Sequence, residues 1–305
     1  LLPVLGCAAG EGNSSIGALL KQTADALSAG VVQDYDPVDY DGPPLGQLPL
    51  YETGDAYTYS TGRTETISGV RGQRVIWEND HESIFERYRN FVFPTIRIET
   101  ARGVVERSFD APPDLLWPLV PGTRRHFTSE VRVRMRGERA EQLFRREWIC
   151  TVNGKERVTV QFGEFDSVKI SCDRYGRGRW RQKRVWYYVP EVGHYVRRTD
   201  DAPGRDKNEV ELVSIQPDVD VLSRRSRRAL HDLEQETLER TRSGETKHWR
   251  SPDGSVSVSM TVTKTLKTEA GQFCRTFRQE ISSDGGARLL PGLACRTWNG
   301  RWVRL

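Results

Sequence analysis

The sequence predicts a mainly β protein. An antiparallel sheet or half-barrel domain occupies residues 49–216, one connecting helix spans about 218–242, and a small C-terminal antiparallel β domain follows. Three observations carry this. From Tyr51 to Ile215 apolar and polar residues alternate with period two, broken by turn residues every ten positions or so. Helical spacing is clear in one long stretch only. Apolar residues make up just 36%, yet 8 Trp, 10 Tyr and 10 Phe can fill a core with few side chains.

Residues 1–6 read as the tail of a signal peptide. Val4-Leu5-Gly6-Cys7 resembles the bacterial lipobox, an apolar pair and a small residue ahead of a Cys. The resemblance implies cleavage before Cys7 and lipidation of Cys7 by a diacylglycerol and a palmitate-type acyl chain, enough for stable anchoring. Ala8 in place of Asp after the Cys implies the outer membrane, facing periplasm or cell surface. The plainer alternative is a buried Cys in an N-terminal helix. Residues 7–48 then form the lipidated N-terminus and linker. Ile16, Leu19, Leu20 and Leu27 suit one short helix over 14–29, and the Asp-, Pro- and Gly-rich run 34–49 suits an extended tether.

Strands are expected at 56–59, 64–70, 74–77, 85–93, 95–100, 129–135, 142–152, 156–162, 165–174, 180–189, 194–198 and 209–215. Asn153-Gly154 is a strong hairpin signal, because both central residues of a type I′ turn need positive φ. The helix has Asp218 or Asp220 as cap and Val221, Leu222, Ala229, Leu230, Leu233 and Leu238 as its apolar stripe. Arg224, Arg225, Arg227 and Arg228 face outward, within reach of Glu234, Glu236 and Glu239 for pairing along the helix. Residues 217–305 join this helix to strands at 256–266, 273–281 and 287–296, with a turn over 282–286.

There are 5 cysteines, and setting Cys7 aside leaves an even four for a compartment that permits disulfides. A turn centred on Asp284 places Cys274 opposite residue 294, so a one-residue shift brings Cys274 to Cys295. Cys150 and Cys172 present a conflict. Tight turns at both Asn153-Gly154 and Gly163 put them two strands apart, about 10 Å, which forbids a bond. The bond requires residues 155–164 to fold aside; the even count favours it and the turn chemistry opposes it.

No catalytic, metal or cofactor motif stands out. His81, His126, His194, His231 and His248 lack metal-ligand spacing, and neither Cys-x-x-Cys, Gly-x-Ser-x-Gly nor a phosphate loop occurs. His194 is conceivable as a base, though a structural His in a strand is the simpler reading. Net charge is only +4, too small to argue for nucleic acid. Residues 177–188 interleave cations with aromatics. They read as a half-exposed strand with Arg out and Trp or Val in, making Arg179, Trp180, Arg181 and Arg184 a candidate partner surface for anionic lipid or polysaccharide.

Two family resemblances follow. Glu236-Thr237-Leu238-Glu239, Ser243-Gly244, Trp249, Ser251-Pro252-Asp253-Gly254, 271–277 (GQFCRTF), Ala294-Cys295-Arg296 and 298–302 (WNGRW) occur in the order seen in the rickettsial-type outer-membrane surface-antigen domain. The segments 152–160, 163–165 and 186–196 resemble periplasmic β proteins similar to lipoprotein-carrier half-barrels. Together these imply a non-catalytic envelope lipoprotein with a structural or binding role, its membrane contact the lipid anchor and its partner an envelope protein or lipid. A carrier of lipid or another apolar ligand is the first rival and needs a deep pocket lined by Tyr57, Phe91, Trp117, Phe144, Trp148 and Trp186. A hydrolase needs a nucleophile, base and orienter in one cleft. A nucleic-acid binder needs a continuous basic face around 177–184.

Overall fold

Alternation along twelve successive strands turns one row of side chains inward, and in the computed structural model those strands close on themselves as an antiparallel barrel. The structure describes residues 34–305 except 38, 82, 139, 219–223 and 284–285. Cys7, the short helix expected over 14–29, Asp220, Val221 and Leu222 lie outside the described residues. The barrel strands are β1 (Ala56–Tyr59), β2 (Thr64–Arg71), β3 (Arg74–Asn79), β4 (Ile84–Tyr88), β5 (Arg97–Thr100) and β6 (Gly103–Phe109), then β7 (Arg124–Met135), β8 (Gln142–Val160), β9 (Gly163–Gly176), β10 (Arg179–Val189), β11 (His194–Asp201) and β12 (Asn208–Gln216). Each pairs with its successor, and β12 returns to β1 with Tyr57 opposite Ile215. The mainly β class is therefore found, and the half-barrel expected from the sequence goes one step further and closes. Closure leaves the barrel with no unpaired edge.

The Asn153-Gly154 signal does not turn the chain. β8 runs straight through it and absorbs it as a bulge between Val152 and Gly154, whose φ is 110°. The hairpin falls at 161–162, with Val160 opposite Gly163. Tertiary pairing overrides the local turn preference here: a hairpin at 153–154 would part Val158 from Phe165 and Val152 from Ile170. With β8 unbroken, Cys150 stands directly opposite Cys172, and the two form a disulfide with 4.1 Å between Cα atoms. The obstacle to this bond at the level of sequence was the supposed turn. At the other end of the strand list, 89–93 leaves the sheet after β4, and β6, whose Val104-Val105 run breaks strict alternation, is an additional strand.

Residues 34–49 were expected to form an extended tether. From Asp34 onward they lie on the barrel instead. Tyr35 exchanges two 2.9 Å backbone hydrogen bonds with Arg124, the Leu45 amide donates to Leu119 at 2.7 Å, and Tyr188 Oη donates to the Gln47 carbonyl at 2.9 Å. Gly46 is buried against the Tyr188 ring, where an added Cβ would meet ring carbon at 2.8 Å. Pro-rich chain cannot join a ladder, yet it can pack and offer its carbonyls.

After the barrel come α1 (Arg224–Arg240), β13 (Thr246–Arg250), β14 (Ser257–Lys267), β15 (Phe273–Ser283), β16 (Gly286–Arg296) and β17 (Trp302–Arg304), the strands forming a five-stranded sheet in chain order. Ser283 pairs with Gly286, which is the one-residue shift that sets Cys274 opposite Cys295; they are bonded with 4.0 Å between Cα atoms. Val213, on the outer face of β12, packs with this disulfide and Leu293, so the sheet covers that side of the barrel. Arg288 on β16 pairs with Glu52 and with buried Asp55 at the start of the barrel. α1 packs on the sheet, its Leu238 clustered with Met260, Phe277, Ala294 and Trp302. Glu234 and Glu239, expected to pair along the helix, reach across to Arg304 and Arg296. The Gln235 side-chain amide both donates to the Trp302 carbonyl, at 2.8 Å, and accepts from its amide, at 2.9 Å.

Candidate functional site

The inward rows of β1, β3, β10 and β11 converge on His194. Its Nδ1 lies 2.9 Å from Tyr51 Oη and its Nε2 3.1 Å from Tyr59 Oη, so one tyrosine accepts the ring N–H and the other donates to the bare nitrogen. Tyr57, Trp77, Phe91 and Tyr195 surround the ring at 4.2–6.5 Å between centroids. Burial, then the charges of Arg87 and Arg198, push the imidazole pKa down to about 3, so it is neutral in the folded protein. Burial likewise drives the Tyr51, Tyr57 and Tyr59 phenols above their ordinary range. This constellation binds its own members.

The six residues that a carrier pocket would need are largely core. Tyr57, Trp148 and Trp186 are buried, and Phe91 and Trp117 pack against the same cluster with ring centroids 5.9 Å apart. Phe144 stands apart, half-buried near the start of β8. The recess left beside Trp77, Phe91, Trp186 and His194 is about 60 Å³, well below the roughly 300 Å³ at which ligand pockets begin.

Charge is also carried inward. Glu65 is fully buried; burial would raise its pKa, but Arg87, bonded to it at 2.7 and 3.2 Å, and Arg63, at 2.8 Å, hold the carboxyl below the usual range. Asp200 accepts from Arg184, from Arg198 at 3.1 Å and from Gln182 at 2.6 Å. Farther along the same faces stand Arg107, Arg146 and Arg174, and no carboxylate pairs with them among the described residues. The Arg107 guanidinium donates to the Thr95 carbonyl at 2.8 Å. Burial lowers the pKa of Arg107, Arg174 and Arg184, and each is lowered further by a neighbouring arginine.

The predicted partner surface divides. β10 pairs Arg184 with Cys172 and Trp186 with Ile170, so Arg184 shares the inward face with Trp186 instead of opposing it. Arg179, Trp180 and Arg181 are exposed, with Trp180 Nε1 donating to Asp173 at 2.9 Å. The arginines at 107, 146 and 174 were passed over in the sequence, where each sits beside other charged residues of its strand; their signal is position two residues from Phe109, Trp148 and Cys172 on inward faces. A second recess of about 550 Å³ lies between α1 and the five-stranded sheet, but Glu234, Gln235, Gln279 and Arg304 on its wall bond one another or Trp302. Among the described residues no cluster of three His, Cys, Asp or Glu side chains could hold a metal.

Comparison with known proteins places the relationship in the C-terminal unit. Residues 236–303 match the family "17 kDa outer membrane surface antigen". The 17 kDa surface antigen of Rickettsia prowazekii is 37% identical over 76 residues, covering 25% of this chain and 48% of that protein. The one from Rickettsia felis is 33% identical over 81 residues, covering 27% and 51%. Among solved structures, the hypothetical lipoprotein YmcC from Escherichia coli (K12) aligns at 6% identity and TM-score 0.38, covering 68% of this chain and 97% of that one. The motifs shared with the antigens have visible tasks. Leu238 of α1 forms a core with Phe277, Ala294 and Trp302 of the sheet, Cys274 and Cys295 staple two strands, and Gly254 and Gly300 take positive φ in turns. The chain spans about half the length of the curated relatives it matches, and from the second half of α1 to β17 it resembles the 17 kDa outer membrane surface antigens.

Proposed function

We propose that this is a cell-envelope protein, a lipoprotein held at the outer membrane through Cys7, with a structural or binding role and no catalytic one. The match of residues 236–303 to a family of outer membrane surface antigens carries the envelope assignment. The lipobox-like Val4-Leu5-Gly6-Cys7 supports the anchor. The filled barrel supports scaffold over carrier: aromatic rings occupy the space an apolar ligand would need. The sealed, neutral His194 supports a role without acid–base chemistry. The barrel's inner core is mainly aromatic and aliphatic, with a few inward charges, and outward positions on β7, β8 and β10 such as Arg132, Glu147, Glu156 and Lys183 are polar. A barrel that spans an outer membrane has the opposite pattern, with its apolar band outward, which favours a barrel held beside a membrane.

Expression of the intact protein and of Cys7→Ser, followed by detergent phase partitioning and intact mass measurement, tests the reading. The intact protein should enter the detergent phase with added acyl mass, and the variant should remain aqueous and unprocessed. A variant that stays membrane-bound with the same mass as the intact form sinks the lipoprotein assignment.

A further inference from the structure

The inward arginines gather at the end of the barrel where β8, β9 and β10 project. A recess of about 340 Å³ there is lined by Phe144, Arg146, Arg174, Gly176, Arg177 and Arg181. Its described lining holds four guanidinium groups and no carboxylate, in a barrel whose inward face also carries Arg87, Arg184 and Arg198, paired with Glu65 and Asp200.

Three features make this more than a solvated basic patch. Aromatic faces hold two of the cations: Arg146 lies 5.2 Å from the Phe144 centroid and Arg174 5.8 Å from that of Trp148. Gly176 leaves the floor open, since a Cβ there would come within 3.3 Å of Arg146 Nη1 and 3.5 Å of Arg181 Cγ. Arg174 Nε is buried with no hydrogen-bond partner, an unsatisfied donor of the kind that calls for an explanation. Like charges are thus held together, partly dehydrated and fixed in direction, before anything binds. An arriving anion would relieve their repulsion and meet forked N–H donors suited to tetrahedral oxyanions.

We propose that this recess binds a multiply charged oxyanion, a phosphate or sulfate group borne by a small molecule or lipid headgroup. The proposal rests on the binding role given above and names its ligand chemistry. The address is tested by partitioning and the site by binding in solution, so either can fail alone.

Titration calorimetry of the full-length protein in low-salt buffer is the test, with inorganic sulfate, inorganic phosphate, pyrophosphate and monomeric dihexanoyl phosphatidic acid as probes. Pyrophosphate should bind, and binding should weaken as sodium chloride is added. Tighter binding of the phosphatidic acid than of inorganic phosphate assigns the group to a lipid headgroup; equal binding assigns it to a free anion. Arg174→Gln and Arg146→Gln should each weaken pyrophosphate about tenfold or more, the effect of losing one charge-assisted contact, while Arg157→Gln, beside Asp166 on another stretch of β8, should not. Arg174→Gln should also melt no lower than the intact protein in anion-free buffer and lose the rise in Tm that pyrophosphate confers. Should that variant not fold, Arg177→Gln on the exposed turn serves the same purpose. Unchanged affinity in the arginine variants, or no binding of any probe by the folded protein, overturns the proposal.

Discussion

His194 is one histidine among five, and its surroundings decide what it does. A neutral ring locked between Tyr51 and Tyr59 ties β11 to β1 and to the segment before it. Because its pKa is about 3 in the fold and about 6.5 in an unfolded chain, the unfolded state binds more protons between those values. The stability contributed by neutral His194 is therefore fully present above the unfolded value and is lost as pH falls toward the folded one. Urea unfolding should show a loss of about 2 kcal/mol between about pH 7 and pH 5. His194→Gln should flatten that slope while lowering stability at neutral pH. Equal slopes in the two proteins would contradict the assignment. Phe277 is a second case of local constraint. Its ring fills the space beside Gly292, where a Cβ would lie 2.2 Å from Cζ. Gly292→Ala should cost about 1–3 kcal/mol by overpacking, read as a drop in Tm. Neither fact was legible from the residues: a histidine in an alternating strand and a glycine in an apolar run acquire their meaning only when distant strands meet them.

At the scale of elements, local pattern served well wherever partners are neighbours in sequence. β1 occupies 56–59 as alternation predicts, and the Cys274–Cys295 bridge follows from hairpin register once the loop is shortened by one residue. Pattern failed where a local preference met a stronger distant one. Asn153-Gly154 has the chemistry of a hairpin, yet β9 pairs with β8 on both sides of it, from Glu147 to Val160, and leaves room only for a bulge. The β9–β10 register places Arg184 inside, which is why one of the four residues of the expected partner surface is tied up in a half-buried ion pair with Asp200. Each disulfide closes a loop of a little over twenty residues. Replacing Cys274 and Cys295 together by Ser should lower unfolding free energy by about 3 kcal/mol on the loop-entropy estimate, measured by denaturant titration under oxidising conditions. No change would mean that α1 and β17 alone hold the sheet.

At the scale of the molecule, barrel and sheet share a boundary made of Val213, Leu293, Cys274 and Cys295, with Arg288 bridging to Asp55. Asp55 is buried enough that its pKa is raised despite that arginine. Arg288→Met removes the partner and leaves an uncompensated carboxylate, so a loss of about 3–5 kcal/mol is expected. Asp55→Asn in the same chain should restore part of it in a double-mutant cycle. The barrel–sheet pairing was invisible in the sequence, since it joins β12 to β16 across the helix.

Closure also divides the molecule by its capacity to grow. A strand ladder that returns to its own first strand offers no row of free amides and carbonyls to a neighbour. The C-terminal sheet ends on both sides, at β13 and at the three-residue β17. β13 wears Lys247, His248 and Arg250 along its length, all exposed, and charged edge residues discourage pairing with another chain. Lateral growth of this sheet among the described residues has two margins to start from, the basic β13 and the three-residue β17, and neutralising the charges of β13 removes the guard from the longer of them.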